Sequence, residues 1–388
     1  MHVHVVDPSA YTPPYDHALC RALAAAGAEV ELYTSRFAYG PVARADGYVR
    51  HELFYRAALG ARGGRARMAL KLAQHVPDML RYRRAARAAD VVHFQWLPVQ
   101  HLDGYLLPRD RPLVLTAHDV LPREPRRGQL AAQCRLYERF DAIVVHSEHG
   151  RARLVELGVD AARVHVIPHG VFTHLAERAP GRPPPAPPWN TDKPVVLFFG
   201  LMRPYKGIDV LLEAWRLAGL DRSLDARDGS PEEGAEVTRE EGVELWIAGM
   251  PRMDISALRA SSPPNVRWDP RFITDKELPA YFEQADLVVL PYLQADQSGV
   301  LFTALAFGKP LLLSDVGGFP EMADTGAARI VPAGDAHALG EALRDLLSDR
   351  EALANMGRKA ADATQGRYSW DAIAGAHMRL YRSLQDSR

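Results

Sequence analysis

A run of apolar residues that ends at a glycine and leads directly into a helix is the feature that most constrains the fold. The run is Val195–Phe199, and Gly200 closes it. A short loop with two cations, Arg203 and Lys206, follows, and then an apolar-periodic segment begins at Ile208. This strand–loop–helix pattern is typical of proteins built from parallel strands with helical crossovers.

The loop at the carboxyl end of such a strand is where open α/β sheets bind ligands. The amides at the start of the following helix, together with Arg203 and Lys206, suit a phosphate or a diphosphate. Two solvated surface charges are an equally good interpretation of this segment by itself. A second loop of the same kind favours the anion site, as described below.

Strands alternate with helices along the whole chain, which predicts parallel sheets. We expect strands at His2–Val6, Glu29–Tyr33, Val91–Phe94, Leu113–Ala117, Ala142–Val145, Val164–Ile167, Val195–Gly200, Glu244–Ala248, Val266–Trp268, Leu287–Leu290, Pro310–Leu313 and Ala328–Val331. We expect helices at Ala18–Ala26, Gln74–Ala88, Gly128–Arg139, Glu148–Leu157 and Asp371–Leu384. A proline-rich stretch, 179–190, cannot be a helix or a central strand and reads as a linker.

The length of 388 residues also favours two domains. We predict a first Rossmann-like domain at 1–178, the linker at 179–190, a second Rossmann-like domain at 191–369 and a last helix within 370–388. Both domains are expected to be α/β with doubly wound parallel sheets that face each other across a cleft. Only Cys20 and Cys134 are present, so a disulfide framework is excluded and a cytoplasmic location is expected.

Charge is unevenly distributed although the net charge is −1. Residues 1–188 carry 25 Lys or Arg against 18 Asp or Glu, whereas the rest of the chain carries 22 against 30. Much of the excess lies in an arginine-rich segment, 56–87, that could give weak peripheral contact with the inner face of a membrane. The solvated face of a helix is the favoured alternative. Nucleic acid is not expected, because the segment lacks interleaved aromatic residues.

The second anion-type loop follows the strand at Leu287–Leu290. Ser298 is expected to be the N-cap of a helix that Gly308 closes, and Gly299 allows close approach to the backbone. The amides near Ser298, Gly299 and Val300 would then face an anion, with the helix dipole assisting. Arg203 and Lys206 would hold the same anion from the other side.

These motifs together resemble the retaining GT-B glycosyltransferases of family 4. The resemblance is carried by Arg203-Pro204-Tyr205-Lys206-Gly207, Ser298-Gly299-Val300, Phe307-Gly308-Lys309-Pro310, Asp315-Val316-Gly317-Gly318-Phe319-Pro320-Glu321 and Tyr368-Ser369-Trp370. In the first half, Thr116-Ala117-His118-Asp119 resembles the strand-end histidine motif of that family, and Val91–Trp96 its preceding strand.

The resemblance implies transfer of a sugar from a nucleotide-diphosphate donor to a sugar, glycolipid or small-molecule acceptor, with retention and without a catalytic metal or other cofactor. Arg203, Lys206 and His118 would be the catalytic residues. Donor binding is expected at Gly200, Arg271, Phe272, Ile273, Asp296, Gln297, Ser298, Gly299, Val300 and Thr303. Tyr11, Tyr15, His93 and Trp96 are acceptor-side candidates, with core packing an equal alternative for His93 and Trp96. The last helix is expected to cross back onto the first domain.

One departure from the family concerns a pair of glutamates with seven residues between them. Aligned from Gly308, their positions hold Ala295 and Thr303. Asp296 or Gln297 could replace the sugar contacts, and the hydroxyl of Thr303 the ribose contact. The departure keeps open a nucleotide-sugar-binding subunit without turnover, and a GT-B epimerase or phosphorylase is a further alternative.

His2 and His4 alternate on one face of the first strand. No third ligand is evident near them in the sequence, so a metal site is not expected there.

Overall fold

The computed structural model describes residues 1–387 except 61–63, 124, 126, 178–185, 187–188 and 222–241. The predicted linker at 179–190 therefore lies largely outside the described residues. By its internal contacts the chain divides into two compact units, Met1–Phe172 with Gly366–Arg388 and Thr173–Gln365.

The strands are β1 His2–Asp7, β2 Glu29–Ser35, β3 Val49–Phe54, β4 Val91–Phe94, β5 Leu113–Thr116, β6 Ala142–Val145, β7 Val164–Val166, β8 Val195–Phe199, β9 Glu244–Ala248, β10 Val266–Asp269, β11 Leu287–Leu290, β12 Leu311–Ser314 and β13 Ala328–Val331. The helices are α1 Pro13–Ala25, α2 Gly64–Ala85, α3 Gln100–Leu106, α4 Gln129–Tyr137, α5 Glu148–Glu156, α6 Thr173–Ala176, α7 Ile208–Leu217, α8 Ser256–Ala260, α9 Leu278–Gln284, α10 Gly299–Ala306, α11 Ala336–Ser348, α12 Arg350–Asp362 and α13 Trp370–Asp386. Short 3₁₀ turns occur at Arg56–Gly60, Ala86–Ala88, Ala161–Arg163, Pro204–Lys206, Pro320–Thr325 and Gly366–Tyr368.

Each unit is built on one parallel sheet. Within the described residues the first sheet has the order β3-β2-β1-β4-β5-β6-β7 and the second the order β10-β9-β8-β11-β12-β13. The central strands, among them β4, β8 and β11, are buried along their whole length. Helices cover both faces of such a sheet, so these strands read as continuous apolar runs in the sequence. The α/β prediction with doubly wound parallel sheets is confirmed.

Some predicted elements were incomplete. Strand β3 was missed because it lies at the edge of its sheet and has a partly exposed, polar sequence, Val-Arg-His-Glu-Leu-Phe. Helix α2 begins ten residues before the predicted start at Gln74 and contains Pro77. Proline normally ends a helix, which is why the sequence pattern suggested a shorter one. Helices α3, α6, α8, α9, α11 and α12 were not predicted, and the other differences are shifts of a few residues at the ends of elements.

Helix α13 belongs to the first unit, where it packs on α1. The motif Tyr368-Ser369-Trp370 anchors it. Ser369 caps the helix by accepting a hydrogen bond from the amide of Ala372, at 3.3 Å. The indole of Trp370 packs against Gly170, where an added Cβ would lie 2.4 Å from the ring, and its Nε1 donates to the carbonyl of Val171.

The described helices include none that combines the length and the apolar character needed to span a bilayer.

Candidate active site

The second sheet has a topological switch point between β8 and β11. These strands are hydrogen-bonded neighbours, but the chain passes from β8 to β9 and β10 on one side before it returns to β11. The loops that leave β8 and β11 therefore diverge from one edge of the sheet. Ligands of open α/β sheets bind in the crevice formed at such a point.

A glycine allows these two loops to approach each other closely. Gly207 has φ +65°, and a Cβ placed there would lie 2.0 Å from the carbonyl oxygen of Pro291. The amide of Leu293 donates to the carbonyl of Tyr205 at 2.8 Å. The loop that carries the two cations is thus fixed against the loop after β11, and only glycine fits at the contact.

Lys206 lies inside this contact and not in bulk solvent. The residue is only 7% exposed, and its Nζ donates to the hydroxyl of Tyr292 at 2.7 Å. A Cβ built on Gly200 would lie 3.3 Å from this Nζ and 3.2 Å from Cγ2 of Val300. The ammonium group of Lys206 therefore lies near the first turn of α10. Because Gly200 has no side chain, the space between Nζ and Val300 is not filled.

Arg203 begins the 3₁₀ turn that carries Lys206. It is half-buried, and its carbonyl accepts a hydrogen bond from the amide of Lys206 at 3.0 Å. The extended backbone of Arg203 (φ −135°, ψ 156°) sets the direction in which the turn leaves the sheet.

Helix α10 begins at the exposed Gly299 and the half-buried Val300. The first amides of any helix lack an intrahelical acceptor, so they are available to an anion. Ser298 occupies the N-cap position, but its side chain caps none of the described amides. The expectation that it acts as a capping side chain was wrong, because its hydroxyl lies 3.4 Å from that of Tyr292 instead. Ser298 thus joins the contact around Lys206.

The positions that replace the family glutamates have separate environments. Ala295 is buried, and Thr303 is buried with its hydroxyl donating to the carbonyl of Gly299 at 2.9 Å. Asp296 and Gln297 are half-buried in the loop before α10, and the carbonyl of Asp296 accepts from the amide of Gly318. The Gly317-Gly318 turn therefore fixes the backbone at Asp296.

The loop after β10 contains Arg271, Phe272 and Ile273. The guanidinium of Arg271 is held by Asp269 at 3.1 Å and by Glu277 at 2.8 Å. Ile273 is buried and Phe272 is half-buried. The side chain of Arg271 supports the shape of the loop.

The first sheet has its own switch point, between β1 and β4. Tyr11 follows β1 and is 64% exposed, and its ring lies 4.9 Å from that of Trp96, which follows β4. Trp96 stacks on His118 with 4.9 Å between ring centroids, and its Nε1 donates to the hydroxyl of Thr12. The structure brings these three rings together at the carboxyl edge of the first sheet.

A second histidine fixes His118. His146 follows β6, and its Nδ1 lies 3.0 Å from the carbonyl of Ile167, which can only accept a hydrogen bond. Burial lowers the pKa of His146 to about 4 and that of His118 well below its usual value. A neutral His146 that donates from Nδ1 presents Nε2 as an acceptor, and His118 donates to it from Nδ1 at 3.2 Å. His118 is therefore a neutral imidazole whose Nε2 can only accept a hydrogen bond. Oε1 of Gln95 lies 3.1 Å from this Nε2 and the buried Nε2 of Gln95 has no partner among the described residues, so the amide of Gln95 must be turned to donate to His118.

The local sequence around His146 does not connect this residue with His118. The link could have been inferred from the position of His146 directly after β6, which neighbours β5, because the carboxyl ends of adjacent parallel strands lie at the same edge of a sheet. His169, after β7, belongs to the same cluster, with its ring 5.2 Å from that of His146.

Two acceptor-side candidates are core residues. His93 is fully buried, with Nδ1 2.7 Å from the hydroxyl of Tyr381 and Nε2 2.7 Å from that of Thr116. Tyr15 is 1% exposed and packs edge-on against His118 and Trp370. Both side chains are buried, so their assignment to an acceptor surface is corrected to a supporting role.

Comparison with known proteins agrees with this geometry. Residues 193–349 match the family model described as "Glycosyl transferases group 1", and residues 15–175 match "Glycosyltransferase Family 4". A D-inositol 3-phosphate glycosyltransferase of Kineococcus radiotolerans is 30% identical over 95% of this chain and 89% of its own length. The chain belongs to glycosyltransferase family 4. The predicted resemblance is confirmed, and the protein is a glycosyltransferase.

Solved structures support the same fold. Sucrose-phosphate synthase from Thermosynechococcus elongatus superposes with a TM-score of 0.71 at 20% identity, over the whole of both chains. HepE from Anabaena, solved in complex with UDP-glucose, superposes with a TM-score of 0.67 at 17% identity and covers 99% of this chain and 100% of its own. At these identities the likeness concerns the fold alone.

Proposed function

We propose that this glycosyltransferase moves a sugar from a nucleotide-diphosphate donor to an acceptor with retention of the anomeric configuration and without a catalytic metal. The unit Thr173–Gln365 would bind the donor, and the first unit would supply the acceptor side. The observation that carries the proposal is the position of Lys206, buried beside the first turn of α10 at the switch point of the second sheet.

The chemistry explains why this position matters. Cleavage of the bond between sugar and diphosphate develops negative charge on the leaving oxygen and positive charge on the sugar. A cation fixed in a poorly hydrated contact stabilises that negative charge more strongly than a mobile surface cation does. Lys206 supplies the fixed charge, the amides of Gly299 and Val300 supply hydrogen-bond donors, and Arg203 adds a second cation from the same loop.

The rest of the donor would lie along the same edge of the second sheet. The backbone of the loop Asp269–Ile273 would contact the base, as the family resemblance implies. Asp296 and Gln297 would bind sugar hydroxyls in place of the absent carboxylate at Ala295. Thr303 keeps an acceptor lone pair for the ribose after its hydroxyl donates to Gly299. A related fold has been solved with UDP-glucose, which makes a uridine donor the first to test.

The acceptor side would use the ring cluster of Tyr11, Trp96 and His118. Exposed aromatic rings provide a stacking surface for a sugar or a polyol ring. A neutral His118 places no positive charge beside the developing oxocarbenium ion. Relatives are named D-inositol 3-phosphate glycosyltransferases, so D-inositol 3-phosphate belongs in the acceptor panel with simple sugars and glycolipids.

A thermal-shift screen with UDP-, GDP-, ADP- and dTDP-sugars tests donor binding, because a ligand of the folded state raises the melting temperature. The donor that passes is then incubated with the acceptor panel in the presence of EDTA. We expect turnover and a product whose anomeric configuration, read by NMR, equals that of the donor. An inverted product, or activity lost in EDTA and restored by Mg²⁺, would contradict the proposed mechanism. Donor binding without hydrolysis or transfer would favour the binding-subunit alternative.

We also propose that helix α2 makes weak peripheral contact with the anionic inner face of a membrane. Met68, Leu72, Val76 and Leu80 recur every four residues and are exposed, between 37% and 63%. Arg81, Arg84 and Arg87 are exposed near the end of the same segment. An exposed apolar stripe with flanking cations fits an interfacial helix better than a purely solvated one.

Sedimentation with vesicles tests this contact. We expect binding to phosphatidylglycerol vesicles that weakens in high salt, and a marked loss in Leu72→Glu. Leu130→Glu is the matched control, because Leu130 is similarly exposed but lies on α4. Equal sedimentation of both variants, or no salt-sensitive binding of the wild type, would remove the membrane proposal.

A further inference from the structure

Three histidines and a glutamate meet on one face of β1, β2 and β3. Parallel register pairs His4 with Glu31, and His51 lies on the next strand opposite Tyr33. Nε2 of His2 is 3.1 Å from Oε1 of Glu31, and Nε2 of His51 is 2.8 Å from Oε2. The sequence-based expectation that His2 and His4 lack a third ligand was wrong, because strand pairing supplies one from residues far along the chain.

The hydrogen bonds of His2 point its free nitrogen into this cluster. Its Nδ1 lies 3.0 Å from the carbonyl oxygen of Ala88, which can only accept, so Nδ1 carries a proton. Nε2 of the same ring then faces the carboxylate of Glu31 across 3.1 Å. A metal cation between this nitrogen and the carboxylate would be bound by both groups. A backbone carbonyl on the distal ring nitrogen is also the usual outer contact of a metal-bound histidine.

His4 is the most unusual member of the cluster. It is fully buried, and neither ring nitrogen has a hydrogen-bond partner among the described residues. A buried polar atom without a partner costs free energy, so such atoms call for an explanation.

We propose that His2, His4, Glu31 and His51 bind one divalent cation of the borderline transition-metal class, Zn²⁺ first among them. The donor atoms of His2, His4 and Glu31 lie within 4.8 Å of one another. Zn–N bonds of about 2.0–2.1 Å in a tetrahedron place ligands about 3.4 Å apart, so the separations among these three donors would shorten by up to about 1.4 Å. The imidazole of His51, whose Nε2 lies 2.8 Å from Oε2 of Glu31, would supply the fourth ligand. His51 has a side chain 39% exposed, which gives the ion a path from solvent.

The position of this site separates it from sugar transfer. His2 begins β1, whereas the ring cluster lies beyond its carboxyl end, five residues and about 16 Å away along the strand. The ion would join β1, β2 and the edge strand β3 and would act structurally. Tyr33 would be a positioning residue, since its hydroxyl donates to Oε2 of Glu31 at 2.6 Å.

The test uses the full chain with a carboxyl-terminal affinity tag free of histidine. After incubation with Zn²⁺ and desalting, we expect about one zinc per chain by elemental analysis and a higher melting temperature than that of the metal-free protein. Co²⁺ should give the visible absorption of a tetrahedral nitrogen–oxygen site. Because only the bound metal produces that spectrum, a donor-binding screen that fails would leave this result unaffected.

Variants identify the ligands. Glu31→Gln and His51→Ala should each weaken zinc affinity at least tenfold in calorimetric titrations, and Tyr33→Phe about tenfold. His101→Ala is the matched control, because His101 is an exposed histidine on α3, and it should bind zinc like the wild type. His51 is partly exposed and lies on an edge strand, so its variant should fold, and circular dichroism checks this. Substoichiometric zinc in the wild type, or unchanged affinity in both ligand variants, would overturn the proposal.

Discussion

Replacement of Lys206 by alanine should reduce turnover by about a hundredfold to a thousandfold while the protein remains folded. The magnitude follows from the geometry. A diphosphate oxygen in contact with Nζ places opposite charges about 4 Å apart, which is worth about 4 kcal/mol at an effective dielectric constant of about 20. Removal of a single fixed electrostatic stabiliser has cost about 2.7–4 kcal/mol in other enzymes, which agrees.

The assay is steady-state transfer with the donor selected by thermal shift, with kcat and KM measured separately. Because the charge on the leaving oxygen grows towards the transition state, the loss should fall mainly on kcat. Tyr292→Phe retains the ammonium group and removes only the hydroxyl 2.7 Å from it, so we expect a loss of about tenfold or less. Lys193→Ala, at an exposed lysine of the same unit, should leave both constants unchanged. A folded Lys206→Ala variant with near-native kcat would refute the reasoning.

Three further outcomes concern stability and are measured by urea unfolding. Gly207→Ala should lower the free energy of unfolding by at least about 2 kcal/mol, since φ of Gly207 is +65° and the carbonyl oxygen of Pro291 lies where the new Cβ would be. An unchanged urea midpoint would contradict the contact between the two loops. Burial lowers the pKa of His146 and of His377 to about 4, so the unfolded chain binds more protons than the folded chain below pH 6.5. The free energy of unfolding should therefore fall by about 2 kcal/mol per histidine between pH 7 and pH 5, and by less in His377→Gln. A urea midpoint that does not depend on pH would contradict these pKa shifts. Tyr381→Phe removes the hydrogen-bond partner of Nδ1 of buried His93 and should lower the free energy of unfolding by about 1–3 kcal/mol. An unchanged free energy of unfolding would mean that this contact of α13 does not stabilise the first unit.

The parallel sheets were predictable because central strands are buried on both faces and read as uninterrupted apolar runs, as in Val195–Phe199. Strand β3 was not, since an edge strand such as Val49–Phe54 carries polar residues wherever it faces solvent. Its omission also hid His51, which belongs to the proposed metal site.

The loops after β8 and β11 were predictable because local motifs specify them: a glycine at positive φ, nearby cations and a helix start. What local sequence could not show is pairing between distant segments. The hydroxyl of Tyr292 on Nζ of Lys206, the contact of His146 with His118 and the buried pair of His93 and Tyr381 each depend on strand order, which brings together residues separated by 28 to 288 positions. The capping role expected of Ser298 failed for a local reason, because its hydroxyl lies near that of Tyr292, six residues earlier in the same loop.

A crystal structure with the nucleoside diphosphate of the selected donor tests the central claim most directly. The account predicts the diphosphate at the switch point of the second sheet, with an oxygen in hydrogen-bond contact with Nζ of Lys206 and others facing the amides of Gly299 and Val300. A diphosphate bound away from both the ammonium group and the start of α10 would contradict it.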